Sequence, residues 1–293
     1  MNSVLITIAV LAVLGCSLAV ILYFVSQKFK VYEDPKIAEV EAELPGANCG
    51  GCGFPGCHGL AEALAKADDL SNMGCPVGGA PVMAKIAAIL GKEAGSADPM
   101  VAVARCGASC NTRIKVAEYD GAKSCAIAAS HFSSETACAF SCLGHGDCVN
   151  ACQFDAITID PDKGVVVDDA KCVACGGCVK ACPKNIIELR PKGRLVQGIN
   201  RRVWVNCVNK DRGPVAMKAC KNACIACGKC AKVCKFNAIV IENNVAYIDH
   251  AKCKACGLCL NECPTHAIQA TFPAPPKPKP APAPAEAPQA KAE

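Results

Sequence analysis

The sequence has few aromatic residues and few histidines. Aromatic side chains make up 4% of the 293 residues, with a single Trp, and there are five His. Aromatic side chains supply much of the buried area of ordinary hydrophobic cores, so a large core of that kind is not expected. We expect small domains that inorganic groups hold together, as metals do in other small folds.

The sequence also lacks the motifs of an enzyme that binds an organic substrate or a nucleotide. There is no P-loop, no nucleophile–base motif, and no recognisable NAD site or flavin-attachment site. The run from Gly51 to Gly56 matches G-x-G-x-x-G, but no strand is predicted before it and Cys52 lies inside it. These absences argue against an enzyme that acts on an organic substrate or a nucleotide.

Cysteine, by contrast, is abundant, with 26 residues. Disulfides belong to oxidising compartments and small secreted scaffolds, and zinc sites favour C-x-x-C pairs at longer gaps, often with His. Here the cysteines form C-x-x-C-x-x-C-x-x-x-C quartets, which predict iron–sulfur clusters. Such clusters need thiolates and a reducing compartment, so we expect the cysteine-rich part in the cytoplasm. A zinc-binding interaction protein and an iron–sulfur protein with a sensing or structural role are the alternatives.

One pattern occurs twice, from Cys148 to Pro183 and from Cys230 to Pro264. Each copy joins a cysteine-rich loop to a short strand, a tight turn, a second strand and another cysteine-rich loop. Strands are predicted at 156–159, 165–167, 238–241 and 245–248, with hairpin turns at 161–164 and 243–244. This is the arrangement of a two-cluster bacterial ferredoxin, in tandem.

The spacing of the cysteines predicts their ligand sets. In two-cluster ferredoxins the first three cysteines of a quartet bind one cluster and the fourth binds the other. The predicted sets are Cys224, Cys227, Cys230 and Cys263; Cys253, Cys256, Cys259 and Cys234; Cys172, Cys175, Cys178 and Cys152; and Cys138, Cys142, Cys148 and Cys182. The last set has looser C-x3-C-x5-C spacing, and the extra residues Leu143 to Asp147 enlarge its loop.

A different motif near the N-terminus predicts a fifth cluster. It has the spacing C-x2-C-x4-C-x17-C, a glycine-rich loop around the first three cysteines, and predicted helices at 58–68 and 81–94; its ligands are Cys49, Cys52, Cys57 and Cys75. Five further cysteines have no compact motif: Cys106, Cys110, Cys125, Cys207 and Cys220. They either supply a sixth cluster or are structural thiols. The predicted cofactors are therefore five [4Fe–4S] clusters, or six.

The run from Val4 to Val25 is apolar and uncharged. At 1.5 Å per residue it spans about 33 Å, enough for a bilayer core of about 30 Å. A signal peptide would have a basic start and a shorter apolar core, and a lipoprotein site at Gly15-Cys16 would require export. We therefore predict an uncleaved single-pass anchor in the inner (cytoplasmic) membrane. Lys28, Lys30 and Lys36 follow it, which predicts that the bulk of the chain is cytoplasmic.

Basic residues are concentrated between the two copies of the repeat. Thirteen of them lie within Lys184–Lys235, against Glu188 and Asp211. They either dock an acidic electron carrier or compensate the charge of the clusters. Five oxidised clusters would contribute roughly −10 to the charge, so the formal net charge of +5 gives no reason to expect nucleic acid as a partner.

The predicted fold class is α+β, with one transmembrane helix, a small helical [4Fe–4S] domain and two tandem ferredoxin-like domains. The predicted divisions are residues 1–27 (transmembrane anchor), 28–95 (four-cysteine cluster domain), 96–137 (connecting cysteine-containing segment), 138–192 (first dicluster ferredoxin domain), 193–222 (basic bridge), 223–272 (second dicluster ferredoxin domain) and 273–293 (disordered Pro/Ala/Lys tail).

Several motifs together resemble a known family. A membrane helix precedes NCGGCGFPGCHGLAEAL, and RCGASC, YDGAKSC and ACAFSCLGHGDCVNACQFDAI follow before the regular quartets. The combination resembles the B subunit of the Rnf complex, a membrane-bound ion-translocating ferredoxin:NAD+ oxidoreductase, over nearly the whole chain. The family's Gly-Cys-Leu-Gly is here Ser141-Cys142-Leu143-Gly144, which keeps the cysteine. The second ferredoxin unit is similar to that of the longer family members.

The resemblance implies a function and a set of partners. Reduced soluble ferredoxin would donate electrons to this subunit, and the electrons would pass through its clusters to the other membrane subunits, to flavins and to NAD+ at another subunit. Related complexes run in reverse, to reduce ferredoxin or a redox-sensing regulator. In either direction the implied activity is that of a translocase-type oxidoreductase, of which this chain is one subunit.

Overall fold

The computed structural model describes residues 2–28, 34–95, 98–107, 109 and 111–276. The helices are α1 (Asn2–Lys28), α2 (Pro35–Glu43), α3 (Cys57–Lys66), α4 (Gly79–Leu90), α5 (Cys125–His131), α6 (Asp147–Asn150), α7 (Gly177–Ala181), α8 (Gly213–Ala219), α9 (Lys229–Val233) and α10 (Leu258–Glu262). The strands are β1 (Met100–Ala104), β2 (Ile157–Asp160), β3 (Gly164–Val167), β4 (Ile187–Pro191), β5 (Arg194–Val196), β6 (Ile199–Arg201), β7 (Val203–Val205), β8 (Ile239–Glu242), β9 (Val245–Ile248) and β10 (Ile268–Ala270). The predicted α+β class is confirmed.

α1 is one continuous apolar helix. Its 27 residues extend about 40 Å, which exceeds a bilayer core of about 30 Å. Its apolar side chains, such as Leu11 and Phe24, are exposed. By length and composition the part from Ile8 to Lys28 can cross a membrane, so the predicted long apolar helix is confirmed. Lys28 lies in its last turn, and Lys30 lies outside the described residues.

Three helices form a small domain around the first cysteine motif. α2 begins where the Asp34 carboxylate accepts a hydrogen bond from Lys36 N (3.0 Å), and α4 ends at Gly91 in the left-handed conformation that suits glycine. A hydrogen bond between His58 Nδ1 and the Glu41 carboxylate (2.7 Å) joins α2 to α3. The core contains apolar side chains from all three helices: Val40, Leu60, Leu64 and Ile86. The two helices predicted in this domain are confirmed, with ends that differ by a few residues.

The first ferredoxin unit is built on the predicted hairpin. β2 and β3 pair antiparallel, with Ile157 opposite Val167, and the short helices α6 and α7 lie in the cysteine-rich loops. A strand that was not predicted completes the unit: β1 pairs antiparallel with β4, so that Met100 lies opposite Pro191. β1 comes from the predicted connecting segment, and its residues 101–104 are buried. The unit therefore takes one strand from outside its cysteine repeat.

The second unit repeats this arrangement. β8 and β9 form the predicted hairpin, and its turn residues Asn243 and Asn244 have φ of 48° and 60°, which asparagine tolerates better than most residues. β7, from the predicted basic bridge, pairs with β10. The hairpin β5–β6 extends between the two units. Residues 273–276 have no regular structure, and the rest of the predicted tail lies outside the described residues.

Candidate iron–sulfur centres

The cysteines gather in groups of four, and no disulfide joins those that the structure describes. In four of the groups the cysteines line one small cavity. We call these groups site 2 (Cys152, Cys172, Cys175 and Cys178), site 3 (Cys125, Cys142, Cys148 and Cys182), site 4 (Cys106, Cys138, Cys207 and Cys220) and site 5 (Cys224, Cys227, Cys230 and Cys263). Each cavity holds donors that are far apart in sequence.

Two further groups are recognisable from the mutual influence of their thiols. Burial, followed by the nearby thiolates of Cys57 and Cys49, raises the pKa of Cys75. With Cys52, which packs in the same core, these residues form site 1. Burial, followed by the thiolates of Cys253 and Cys256, raises the pKa of Cys259 to about 12. The thiolates of Cys256 and Cys234 act on Cys253 in the same way. Cys234, Cys253 and Cys259 also pack together in the core of the second unit, and we call these four cysteines site 6.

The grouping of Cys138 differs from the prediction. The spacing predicts that Cys138 shares a cluster with Cys142, Cys148 and Cys182, but Cys138 lines the cavity of site 4. Burial, followed by the thiolates of Cys106, Cys207 and Cys220, raises its pKa to about 11. The structure therefore separates Cys138 from the other three members of the predicted set.

Cys125 takes the place of Cys138 in site 3. It is the first residue of α5, and Asp147 from the enlarged loop fixes the start of that helix. The Asp147 carboxylate accepts hydrogen bonds from Ser124 Oγ and Ala126 N, both at 2.9 Å. Burial alone would raise the pKa of Asp147, but hydrogen bonds from the Ala126 and Cys125 amides and from the Ser124 hydroxyl outweigh it, so this pKa lies below its usual value. The enlarged loop thus holds the start of the helix that brings Cys125 into site 3.

The five cysteines without a compact motif have different positions. Cys106, Cys207 and Cys220 complete site 4, and Cys125 completes site 3. Cys110 lies outside the described residues. Cys106 follows β1, Cys207 follows β7 and Cys220 follows α8, so these donors meet only because two strands and a helix end at one place.

A spacing signal in the sequence distinguishes the sites. Cysteines with C-x2-C spacing, such as Cys172 and Cys175, lie in one site. Among the described residues, cysteines with C-x3-C spacing lie in two neighbouring sites. The pairs of the second kind are Cys138/Cys142, Cys148/Cys152, Cys178/Cys182, Cys220/Cys224, Cys230/Cys234 and Cys259/Cys263. The C-x3-C spacing of Cys138 and Cys142 therefore indicates that these two cysteines belong to neighbouring sites.

A buried hydroxyl network holds the loop that carries Cys138 and Cys142. Ser141 Oγ lies 2.9 Å from Ser134 Oγ and 2.7 Å from Thr136 Oγ1, and all three side chains are buried. Arg113 donates a hydrogen bond to Cys142 O at 3.0 Å and lines the cavity of site 4. These bonds fix the loop in a position where Cys138 lines site 4 and Cys142 lines site 3.

Backbone amides point at the sulfur atoms in both units. Ala102 N donates to Cys172 Sγ and Ala246 N donates to Cys224 Sγ, each at 3.4 Å. Similar bonds reach the fourth cysteines of the quartets, from Ala156 N to Cys152, from Ala238 N to Cys234 and from Ala267 N to Cys263. Hydrogen bonds to the sulfurs stabilise the more negative state of an iron–sulfur cluster.

The donor sets fit [4Fe–4S] clusters. Burial and neighbouring thiolates raise the pKa of Cys142 and Cys178 to about 12 and of Cys148, Cys207 and Cys230 to about 11. Four thiolates in one buried cavity repel each other unless a cationic core offsets them. Among the described residues no three His, Cys, Asp or Glu side chains converge closely enough for a single metal ion. Wider sets of four thiols are what a multi-iron core requires.

The N-terminal domain approaches the first ferredoxin unit closely at Gly51. A Cβ atom on Gly51 would lie 2.7 Å from Cys175 Cα and 2.8 Å from Cys175 O, closer than real contacts allow. Only glycine permits this approach. The neighbour of Gly51 is Cys52 of site 1, and Cys175 belongs to site 2, so the contact brings these two sites together.

The six sites consequently form one linear series. Site 1 meets site 2 at Gly51, and the remaining neighbours are joined by pairs of cysteines four positions apart. Four residues span at most about 14 Å when extended and about 6 Å in a helix. Thiolates also act across the junctions, as Cys106 on Cys142 and Cys224 on Cys207. The order runs from the helical domain that follows α1 to the second ferredoxin unit.

Comparison with known proteins assigns families to these regions. Residues 44–77 match the family described as "Putative Fe-S cluster", and residues 140–186 and 223–267 match the 4Fe-4S dicluster domain. The matches cover the cysteine motif of site 1 and both copies of the repeat. They support iron–sulfur clusters of the [4Fe–4S] type.

Similar proteins extend over almost the whole chain. The B subunit of the Na(+)-translocating ferredoxin:NAD(+) oxidoreductase complex of Acetobacterium woodii is 43% identical over 92% of this chain and 78% of its own length. The B subunit of the ion-translocating oxidoreductase complex of Methanosarcina acetivorans is 40% identical over 92% of this chain and 99% of its own length. The B subunit of the proton-translocating ferredoxin:NAD(+) oxidoreductase complex of Clostridium ljungdahlii is 38% identical over 92% and 93%. The chain therefore belongs to the B-subunit family of the Rnf-type ion-translocating oxidoreductase complexes, as an iron–sulfur electron-transfer subunit.

Proposed function

We propose that this chain carries electrons from reduced soluble ferredoxin along six [4Fe–4S] clusters to the membrane subunits of its complex. Site 6 receives the electrons and site 1 passes them on. Two of the similar proteins are named ferredoxin:NAD(+) oxidoreductase subunits, which supports ferredoxin as the donor. Their names differ in the translocated ion, so the coupling ion is not part of the proposal.

The observation that carries the proposal is the single linear series of sites. Each site has four cysteine donors, and neighbouring sites share a short stretch of chain. A structural or sensing role does not need six such groups in sequence, whereas conduction needs every one. The donors at sites 3 and 4 include Cys106, Cys125, Cys207 and Cys220, which supports six clusters in place of five.

The protein's own groups have separate tasks in this function. When bound, each cluster supplies a centre that accepts and releases one electron. The cysteine thiolates hold it, and backbone amides such as Ala102 N and Ala246 N bond to their sulfurs. Buried apolar side chains, such as Ile186 at site 3 and Ile268 at site 5, line the cavities and exclude water from them.

The N-terminal helix supports a membrane location for this activity. A single-pass α1 with the bulk of the chain in the cytoplasm would place site 1 nearest the membrane, because the domain that holds site 1 follows α1 in the chain. Lys28 at the end of α1 agrees with that orientation. The other membrane subunits would then receive electrons from site 1.

An iron count and a reduction experiment on the full-length protein test the proposal. The protein is purified anaerobically in detergent, and iron and acid-labile sulfide are measured. Six clusters predict about 24 Fe per chain and five predict about 20, at four iron per cluster. Reduced ferredoxin is then added, and EPR follows the reduction of the clusters. An iron content near 20 would contradict the sixth cluster, and clusters that ferredoxin leaves oxidised would contradict the electron-transfer role.

A further inference from the structure

An open cavity of about 480 Å³ lies between the two ferredoxin units, against the end of the cluster series. Cationic side chains dominate its lining: Arg190, Arg194, Arg201, Arg202 and Lys254. Asp98 is the one carboxylate among the described lining residues. The cavity therefore has a strongly positive interior.

Only part of this charge is neutralised within the protein. Arg202 makes two hydrogen bonds to the Asp169 carboxylate, at 2.5 and 2.6 Å, and Arg190 pairs with Glu188. Arg194, Arg201 and Lys254 form no ion pair with any carboxylate that the structure describes. Three of the cationic side chains in the lining therefore have no carboxylate partner within the described part of the chain.

Buried guanidinium atoms in the cavity wall also lack partners. The side chain of Arg190 is only 3% exposed, and its Nη2 atom has no hydrogen-bond acceptor. The Nε atoms of Arg201 and Arg202 are buried and unpartnered as well. Burial of a charged donor without an acceptor is costly. These atoms lie behind the surface of the cavity, and the charge of their guanidinium groups adds to the positive potential inside it.

An apolar hairpin next to the cavity favours a protein as the ligand over a small anion. Arg194, Val196 and Arg201 line the cavity, and they belong to the hairpin β5–β6. The same hairpin leaves Leu195 69% exposed, with Ile199 and Val196 also exposed. Exposed apolar side chains beside charged ones are typical of protein–protein interfaces.

The cavity lies at one end of the series of sites. Cys253 of site 6 is in its wall, and Cys256 of the same site is exposed to solvent. Electron transfer requires close approach of donor and acceptor, and its encounter complexes have small interfaces. A protein seated on this cavity would lie against site 6.

We infer that the cavity and the hairpin β5–β6 together form the docking surface for an acidic electron-carrier protein, whose carboxylates enter the cavity beside Cys253. This inference rests on the proposed function and deepens it, because it locates where the carrier binds. It also divides the basic segment Lys184–Lys235 into residues that dock the carrier and residues that do not. Lys218 and Lys221 are exposed in that segment but do not line the cavity.

Matched charge reversals test the location. The cavity variant combines Arg194→Glu with Lys254→Glu, and the control variant combines Lys218→Glu with Lys221→Glu. Both change the net charge equally, and in both one lysine is the neighbour of a cysteine ligand. Stopped-flow absorbance of the full-length, cluster-loaded protein gives the second-order rate of reduction by reduced ferredoxin at low and high salt.

At low salt we expect the cavity variant to be reduced at least about tenfold more slowly than the unaltered protein, because electrostatic steering raises association rates by roughly 10–1,000-fold. Its rate should also depend less on the salt concentration. The control variant is expected to stay within about twofold of the unaltered protein. Dithionite, which needs no docking surface, should reduce all three proteins fully. That result shows that the clusters of both variants are intact.

The possible results separate the two proposals. A first result is that ferredoxin reduces the unaltered protein and reduces both variants at equally lowered rates. In that case net charge decides the rate, and the proposed docking surface is overturned. If the cavity variant keeps its rate with ferredoxin but loses binding of pyrophosphate in equilibrium dialysis, the cavity is a small-anion site and the docking surface is again overturned. If ferredoxin does not reduce the unaltered protein while dithionite does, the proposed function itself fails.

Discussion

The two ferredoxin units have the same cysteine pattern but obtain their ligands differently. In the second unit, sites 5 and 6 exchange Cys234 and Cys263, and every donor lies within the predicted limits of that unit, residues 223–272. In the first unit, site 3 takes Cys125 from α5, outside the predicted limits 138–192. Cys138 occupies the sequence position of a predicted site 3 ligand, but it lines the cavity of site 4. A shared sequence pattern thus does not ensure a shared ligand set.

Because of this difference, site 4 links the first unit to the second unit. Its loop is enlarged by Leu143 to Asp147, and Asp147 fixes the helix that carries Cys125. Cys138 is then free to join Cys207 and Cys220, which lie in the segment leading to the second unit. Site 4 therefore connects the units, while the outer end of the second unit remains open at the exposed Cys256.

The largest expected effect comes from breaking site 4. Cys138→Ser and Cys207→Ser should each remove the same cluster, so that iron falls by about four per chain and the same EPR signal disappears. Cys125→Ser should remove a different signal, from site 3. Iron analysis and EPR of the dithionite-reduced protein measure both. If Cys138→Ser instead removes the signal that Cys125→Ser removes, the grouping of Cys138 with site 3 would be restored.

Next in size is the contact at the outer end of the first unit. Gly51→Ala should leave the iron content unchanged and slow electron transfer between sites 2 and 1, because the added Cβ forces the two domains apart. Electron transfer between two centres slows steeply as the gap between them widens, so a displacement of the domains lowers this rate. Rapid-freeze EPR after reduction by ferredoxin follows site 1. Gly74→Ala is the control, since its Cβ would meet nothing within 4 Å; equal slowing in both variants would refute the contact.

A smaller effect is expected from Asp147→Ala. It removes the two 2.9 Å hydrogen bonds that hold the start of α5, so Cys125 should bind its cluster less firmly. Each lost hydrogen bond to a charged group costs about 1.5–3 kcal/mol. We expect the cluster of site 3 to bleach at a lower temperature, while the exposed Asp162→Ala leaves bleaching unchanged. Loss of a second-unit signal in its place would show that Asp147 acts elsewhere.

The smallest effect concerns Arg190, which reaches from the first unit to the second. It lies 5.1 Å from the ring centroid of Tyr247 in β9, and its positive charge lowers the pKa of Cys253, against the larger effect of burial, which raises it. Arg190→Gln should shift the potential of the site 6 cluster to more negative values, since a nearby cation stabilises the reduced form. An EPR-monitored redox titration measures the shift, with Lys218→Gln as the control, because Lys218 does not line the cavity beside Cys253. A shift confined to a first-unit cluster would contradict this assignment.

The sequence by itself determined the features that depend on neighbouring residues. The apolar run fixed α1, the asparagines fixed the turn of β8–β9, and C-x2-C spacing brought cysteines such as Cys172 and Cys175 into one site. These features form because a few consecutive residues satisfy the length, the turn conformation or the ligand geometry. The limits of the domains stay a prediction. β1 and β7 lie outside the predicted ferredoxin domains, yet each pairs with a strand inside one of them.

Only the tertiary structure decided which distant residues meet. Cys106 and Cys207 are about a hundred positions apart, and they share site 4 because β1 and β7 each pair with the last strand of a unit and end at the same place. The pairing of β1 with β4 depends on burial against the hairpin, which short-range spacing does not encode. The approach of Gly51 to Cys175 depends likewise on how two separate domains pack. The local sequence made the sites possible, and the packing of strands and domains joined them in one series.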